Sequence, residues 1–179
     1  MIFGNTVDFA IKVDIEECIN SWVFGQFLFY VAGETIGNAN DSTDLLGCRR
    51  WLRDFLMRPK AAADEGLARL SPGEFFATVY DPAMVQRDWR SAKYPDAFRR
   101  FSISHVGMSS FNRFDVLLVG LPGGGHRLLW REGESEARSR DLGPGVFCRT
   151  VSDCLQWMDA TFPKSTINSA DTFKKKEGA

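Results

Sequence analysis

The fold is decided by residues 9–32, which read FAIKVDIEECINSWVFGQFLFYVA. From Phe9 to Glu17 apolar and polar residues alternate, which is the period of a β-strand with one buried face and predicts Ile15 on that face. A short break follows, and residues 22–32 are almost entirely apolar and aromatic. The pattern predicts a hairpin of two strands, and the outer face of its first strand leans acidic.

The second predicted strand is apolar on both of its faces. One face carries Val23, Phe27, Phe29 and Val31, and the other carries Trp22, Phe24, Gln26, Leu28 and Tyr30. Something must cover the second of these faces. Two interpretations stay open: a helix of the same chain, for which residues 45–56 are the best candidate, or a protein partner, because Trp and Tyr are frequent interface anchors.

Length and composition describe a globular protein. A chain of 179 residues, 44% hydrophobic and 13% aromatic, can bury a hydrophobic core large enough to need no disulfide or metal ion for stability. We expect a single domain over residues 1–163 and a flexible polar tail over 164–179. The sequence has no apolar run long enough to cross a bilayer and no signal-peptide pattern at its N-terminus. We therefore expect a cytoplasmic protein without a membrane partner.

The rest of the chain completes an α+β fold, a mostly antiparallel sheet packed by a few helices. Helical spacing predicts one helix over residues 45–56 and a terminal helix from Val146 to Met158. Ser71 to Glu74 has the signature of a capped helix start. A C-terminal meander is predicted from four strands, at residues 101–106, 114–120, 126–131 and 137–142. The glycine-rich loop at 121–125 fits a hairpin connection.

Catalytic and metal-binding motifs are not recognisable. The triple glycine is not followed by the lysine and hydroxyl of a phosphate loop, and neither His105 nor His126 has a second ligand at metal spacing. We therefore predict no catalytic residues, no metal and no cofactor. The four cysteines show no C-x-x-C spacing, and we interpret them as free buried thiols. A thiolate–imidazolium pair of Cys148 and His105 is the alternative that sequence leaves open.

Charge is segregated along the chain although the net charge is only −1. Residues 1–47 hold seven acids against Lys12 alone, and residues 87–131 hold eight basic residues against three acids. Two interpretations stay open. The two segments neutralise each other in the fold, or the first one presents an acidic face to a partner.

Several short stretches carry a family resemblance. They are Ile2-Phe3-Gly4 before Phe9-Ala10-Ile11, then Trp22-Val23-Phe24-Gly25-Gln26-Phe27, and then Gly33-Glu34-Thr35-Ile36-Gly37. Arg127-Leu128-Leu129-Trp130 follows late in the chain, before Gly145-Val146-Phe147 and a helix with Trp157. In this order they resemble the immunity proteins of bacterial polymorphic-toxin and contact-dependent inhibition systems, most closely the immunity protein forty-two family.

The resemblance implies a non-catalytic antitoxin that binds the C-terminal domain of one cognate secreted toxin in the cytoplasm. The contact residues that we expect are four acids and two aromatics, namely Asp14, Glu16, Glu34, Asp41, Trp22 and Tyr30. Such an acidic edge would steer a basic toxin domain, for example a nuclease. Direct nucleic-acid binding is not expected from a chain with a pI near 6.1. The sequence does not define the oligomeric state.

A different class of protein is the alternative. A small α+β enzyme or ligand-binding domain would hold its ligand in a pocket between sheet and helices. His105, Cys148 and Arg100 would be the polar groups of that pocket.

Overall fold

The two predicted strands form a long antiparallel hairpin in the computed structural model, which describes residues 1–57, 65–85, 93–104 and 108–162. Strand β2 is Phe9–Ile19 and strand β3 is Trp22–Val31, and they are joined by a two-residue turn. Asn20 occupies the turn at φ +54°, a left-handed conformation that Asn tolerates better than most residues. The hairpin predicted from residues 9–32 is confirmed.

A β-bulge interrupts this hairpin in its first strand. Ile15 pairs with Gly25, whereas the next pair joins Glu17 to Phe24, so that Glu16 is the additional residue. A bulge shifts the alternation of side chains by one position. After the bulge Glu17 and Ile19 lie on the outer face, opposite Phe24 and Trp22.

The bulge requires a glycine on the facing strand. A Cβ added at Gly25 would lie 2.0 Å from the carbonyl oxygen of Asp14, far inside contact distance. The sequence therefore allows the irregularity at this position because residue 25 has no side chain.

The first sheet contains the hairpin and three short strands. They are β1 (Ile2–Asn5), β4 (Glu34–Ile36) and β5 (Thr43–Asp44), and the order is β1-β2-β3-β4 with β5 also paired to β3. Two helices pack on the inner face of this sheet, α1 (Leu45–Met57) and α6 (Val146–Thr161). Both helices were predicted from their apolar spacing and are confirmed.

The residues predicted for the inner face of β3 are buried, as expected. The element predicted to pack on its outer face does not pack there. Val23, Phe27 and Phe29 are fully buried, and they share a core with Leu45, Cys48 and Leu52 of α1. The interpretation that α1 covers the outer face is therefore wrong. Leu28, on that face, is buried because the loop after β4 approaches it: a Cβ added at Gly37 would lie 2.9 Å from its Cδ2. Ile15, predicted to be buried, is 39% exposed.

The second sheet is buried on both of its faces. Its strands β6 (Phe114–Gly120), β7 (His126–Glu132) and β8 (Arg138–Leu142) form a meander, with β7 in the centre. Val116 and Leu118 of β6 enter the core that contains the hairpin, whereas Leu117 and Val119 enter a second core. This sheet therefore separates two apolar cores. The predicted loop 121–125 does join β6 to β7.

One of the four strands predicted for this meander, at residues 101–106, is not formed over residues 101–104, so this prediction is wrong for the part that the structure describes. Residues Ala97–Phe101 form a helix, α5, and Ser102 makes one isolated bridge to Leu117. Phe101 is buried in the second core, so its apolar character serves a helix end and not a strand. Residues 105–107 lie outside the described residues.

Short helices close the second core. They are α2 (Glu65–Ala68), α3 (Pro72–Phe75), a π-helix (Phe76–Tyr80), α4 (Asp81–Val85) and α5, and a 3₁₀ turn at Ser109–Phe111 packs against the first core. The predicted cap at Ser71 is confirmed. Its hydroxyl accepts a hydrogen bond from the Glu74 N–H, and the Glu74 carboxylate accepts one from the Ser71 N–H at 2.8 Å.

The predicted α+β class is confirmed by this arrangement of two antiparallel sheets and several helices. The tail predicted at 164–179 lies outside the described residues. None of the described helices is long and apolar enough to cross a membrane.

We predict that Gly25→Ala lowers the free energy of unfolding by about 1–3 kcal/mol, because the methyl group cannot fit against the Asp14 carbonyl without a backbone shift. Urea denaturation followed by tryptophan fluorescence measures the change. Gly73→Ala is the matched control, because an added Cβ there meets no heavy atom within 4 Å. An equal effect of the two substitutions would contradict the steric explanation.

Candidate functional site

Asp14, one of the predicted contact acids, is neutralised within the chain. Its carboxylate lies 2.8 Å from the ammonium of Met1 and 3.0 Å from Nζ of Lys12. The hydrogen bond from the terminal ammonium, followed by the one from Lys12, holds the pKa of Asp14 below its ordinary value of 3.8. The carboxylate is half exposed but is no longer an isolated negative charge.

Glu34, a second predicted contact acid, pairs with the other sheet. Its Oε2 lies 2.5 Å from Nη1 of Arg138 on β8. Asp8, at the start of β2, pairs in the same way with Arg140, two residues further along β8. The edge of the second sheet therefore neutralises one end of the first.

These ion pairs bear on the two interpretations of the acidic segment 1–47 and the basic segment 87–131. Asp8, Asp14 and Glu34 of the first segment are neutralised by groups that lie outside residues 87–131. In that segment Arg131 binds Asp81 at 2.6 Å and Asp115 at 2.9 Å, and Arg127 binds Asp141 at 2.6 Å. The basic residues therefore serve the second sheet and its helices.

The Arg131 cluster is a structural network beneath the surface. The guanidinium lies 4.2 Å from the ring centroid of Phe76, and both of its carboxylate partners are partly buried. The Tyr80 hydroxyl donates to Asp115 at 3.1 Å, and burial raises the pKa of that tyrosine, which keeps the hydroxyl protonated. This network joins β6 and β7 to the π-helix and α4.

The two other predicted contact acids, Glu16 and Asp41, lie outside these ion pairs. Glu16, the predicted contact residue at the bulge, and its neighbour Glu17 are both exposed and form no ion pair within the part of the chain that the structure describes. Asp41, also predicted, lies half buried in the loop before β5, where its N–H donates to the carbonyl of Asn38. Among the residues described, it forms no ion pair either.

The two predicted aromatic contacts lie at opposite ends of β3. Trp22 is 52% exposed at the turn, and its ring stacks on that of Phe24 with centroids 6.1 Å apart. Tyr30 is half buried beside Ala10 and Thr35. Eight residues of strand separate the two aromatics by about 26 Å. Trp22 and Glu16 therefore lie at the turn end of the hairpin. Tyr30 lies at the other end, opposite Thr35, the residue after Glu34. The six predicted residues form no single surface.

The surface around the turn contains residues that sequence reasoning left out. We call residues 15–24 the hairpin tip. Glu17, Ile19 and Phe24 join Trp22 on its outer face, because the bulge brings all four to the same side. The signal for this was present in the sequence, since the doublet of Glu16 and Glu17 breaks the strict alternation that precedes it.

All four cysteines are free, as predicted, but the prediction that they are buried is wrong for Cys18, which is exposed at the hairpin tip. Cys48 and Cys154 are buried, and loss of solvation raises the pKa of both thiols, that of Cys154 to about 12. They are therefore protonated and poorly nucleophilic at neutral pH. Of the polar groups of the alternative pocket, Cys148 packs at the first core, Arg100 stacks on Phe101 of the second core, and His105 lies outside the described residues.

No group of three or more His, Cys, Asp or Glu side chains is placed to hold a metal ion in residues 1–57, 65–85, 93–104 and 108–162. What the described surface offers is a protruding, aromatic and acidic hairpin on an α+β body. These features define a protein equipped for contact with another macromolecule.

Comparison with known proteins identifies the family. The family described as Immunity protein 42 matches residues 1–157, which include every stretch that carried the resemblance. The chain belongs to the Immunity protein 42 family. It is therefore an immunity protein, and its function is to neutralise a toxin.

A solved structure shares the fold. The crystal structure of CdiI from Burkholderia dolosa AUO158 superposes with a TM-score of 0.72 at 21% identity, covering 88% of this chain and 99% of the other. A comparison with curated protein sequences finds no match.

We predict that Asp14→Asn lowers the free energy of unfolding at pH 7 by less than about 1 kcal/mol, since exposed ion pairs contribute little. The pKa of Asp14 is lowered in the folded state, so its contribution is present above pH 3.8 and is lost as the pH falls through the lower folded value. Urea denaturation of both proteins at pH 7 and pH 2 measures the difference.

The control for this prediction is Glu16→Gln, which removes an exposed carboxylate without an ion pair. We expect it to leave the free energy of unfolding unchanged at both values of pH. A deficit of Asp14→Asn that persists undiminished at pH 2 would show that the loss has another origin than the charge.

Proposed function

We propose that this immunity protein acts as a stoichiometric antidote, which binds the C-terminal domain of one cognate secreted toxin and blocks it without chemistry of its own. The observation that carries the proposal is membership of the Immunity protein 42 family over residues 1–157. The resemblance to immunity proteins of contact-dependent inhibition supports the choice of a secreted toxin as partner.

The site of action in this proposal is the cytoplasm of the producing cell, where a toxin domain delivered by a sibling cell would arrive. The toxin domain is basic, as a nuclease that holds phosphate groups would be. This part is supported by the acids of the first segment, of which Glu16, Glu17 and Asp41 keep charges that no basic group among the described residues neutralises. Attraction between such charges and a basic surface raises the rate of association.

Binding without catalysis is supported by the state of the thiols. Two of the four cysteines are buried as protonated thiols, and the only half-buried one, Cys148, lies on α6 against the first core. A role in covalent catalysis would instead need a thiolate with an adjacent base.

We expect the purified protein to form a 1:1 complex with the C-terminal domain of its cognate secreted toxin, which we expect the gene directly upstream to encode, and to restore growth of cells that express this domain. Isothermal titration calorimetry gives the stoichiometry, and co-expression gives the protection. Lack of both binding and protection would contradict the proposed function.

A double variant separates an antidote from an enzyme. Cys148→Ala combined with His105→Gln removes two of the three polar groups of the alternative pocket, those with nucleophile and base chemistry. An antidote keeps full protection and an unchanged dissociation constant, whereas an enzyme loses protection although its fold, checked by circular dichroism, is intact.

A further inference from the structure

We infer that the hairpin tip, residues 15–24, is the surface that binds the toxin, and that it fits a positively charged site with an apolar recess on the toxin domain. The inference rests on the proposed function and adds the surface and the chemistry of the partner's site. It replaces the dispersed set of six residues with one contiguous set.

Large apolar side chains are exposed at the tip. Residues 15–22 are all exposed, and they include Ile15, Ile19 and Trp22, three of the eight large hydrophobic residues exposed in the described parts of the chain. Trp22 is 52% exposed and Ile19 is 45% exposed, and the two are paired across the hairpin. Exposed apolar residues grouped in this way, with acids around them, are typical of protein-binding surfaces.

The tip is built as a rigid surface and not as a loose loop. Trp22 and Phe24 stack nearly parallel, at an interplanar angle of 13°. Val23, between them, is fully buried and fixes the strand to the core from the opposite face. A preorganised aromatic pair loses little conformational entropy on binding, which is why Trp is the most frequent anchor in interfaces.

Charge defines the partner. Residues 15–24 contain Glu16 and Glu17 and no lysine or arginine. Other acids of this half of the chain, Asp8, Asp14 and Glu34, already have basic partners. The unneutralised charge of the hairpin therefore lies at its tip, beside the aromatic pair, where it complements a basic site.

A second copy of this chain fits the tip poorly. A symmetric dimer with its axis at the tip would place the two tips against each other, so that Glu16 and Glu17 of both copies would face each other. Like charges in an interface cost several kcal/mol. The toxin domain, which the proposed function supplies as a basic partner, is the occupant that the charges favour.

The experiment compares two tip variants with two matched controls, using the upstream-encoded toxin domain with its active site inactivated. Trp22→Ala is paired with Met84→Ala, a residue of similar exposure at 49% on α4. Glu16→Lys with Glu17→Lys is paired with Glu134→Lys and Glu136→Lys, which make the same change of charge in the exposed β7–β8 loop. Surface plasmon resonance at 50 and 300 mM salt gives both rate constants.

We expect Trp22→Ala to weaken binding by about 30-fold or more, mainly through faster dissociation. The charge reversal at the tip is expected to lower the association rate by about 10-fold at low salt and to flatten its salt dependence. Both controls are expected to change affinity by less than about threefold. The midpoint of urea denaturation should stay within error for all four proteins, because the substituted side chains are exposed.

Two outcomes would overturn the inference while leaving the proposed function in place. The first is wild-type binding that both tip variants retain within threefold. The second is a parent protein that is dimeric by light scattering and becomes monomeric in the tip variants, which would assign the tip to a second copy. Failure of the parent protein to bind the toxin domain would instead contradict the proposed function.

Discussion

The register between β2 and β3 is the constraint on which the rest of the molecule depends. Up to Ile15, the strands follow the alternation that buries Phe9, Ile11 and Val13 beneath α1 and α6. Beyond the extra residue Glu16, the first strand leaves the core and turns a different set of side chains outward, whereas Val23 still holds the second strand to the core. One backbone irregularity is possible because Gly25 has no Cβ. It divides a single hairpin into a part whose side chains form the core and a part whose side chains are mostly exposed to solvent.

Ion pairs between elements distant in sequence decide which charges remain available. Arg138 and Arg140 of β8 neutralise Glu34 and Asp8, and Arg131 is occupied by Asp81 and Asp115. Exposed pairs of this kind add little stability individually. Their larger effect is on the electrostatic field, because they neutralise two of the seven acids that the first 47 residues contain.

The elements predicted correctly are those whose signal is local. Strands β2 and β3, helices α1 and α6 and the Ser71 cap follow from periodicity or from residues three positions apart. The errors come from long-range contacts. The bulge depends on the fit of residue 25 against residue 14, and the burial of Phe101 depends on a core formed with β6. The neutralisation of Glu34 likewise depends on a contact to Arg138, which is 104 positions away.

The exposure of residues 15–22 separates recognition from folding. Most of these side chains contribute nothing to the core, and the principal backbone demand on them is the left-handed turn at Asn20. Substitutions at exposed positions of this kind usually change stability by less than about 0.5 kcal/mol. A binding surface at these positions, as we propose, can therefore change its specificity through substitutions that leave the stability of the two-sheet body almost unchanged.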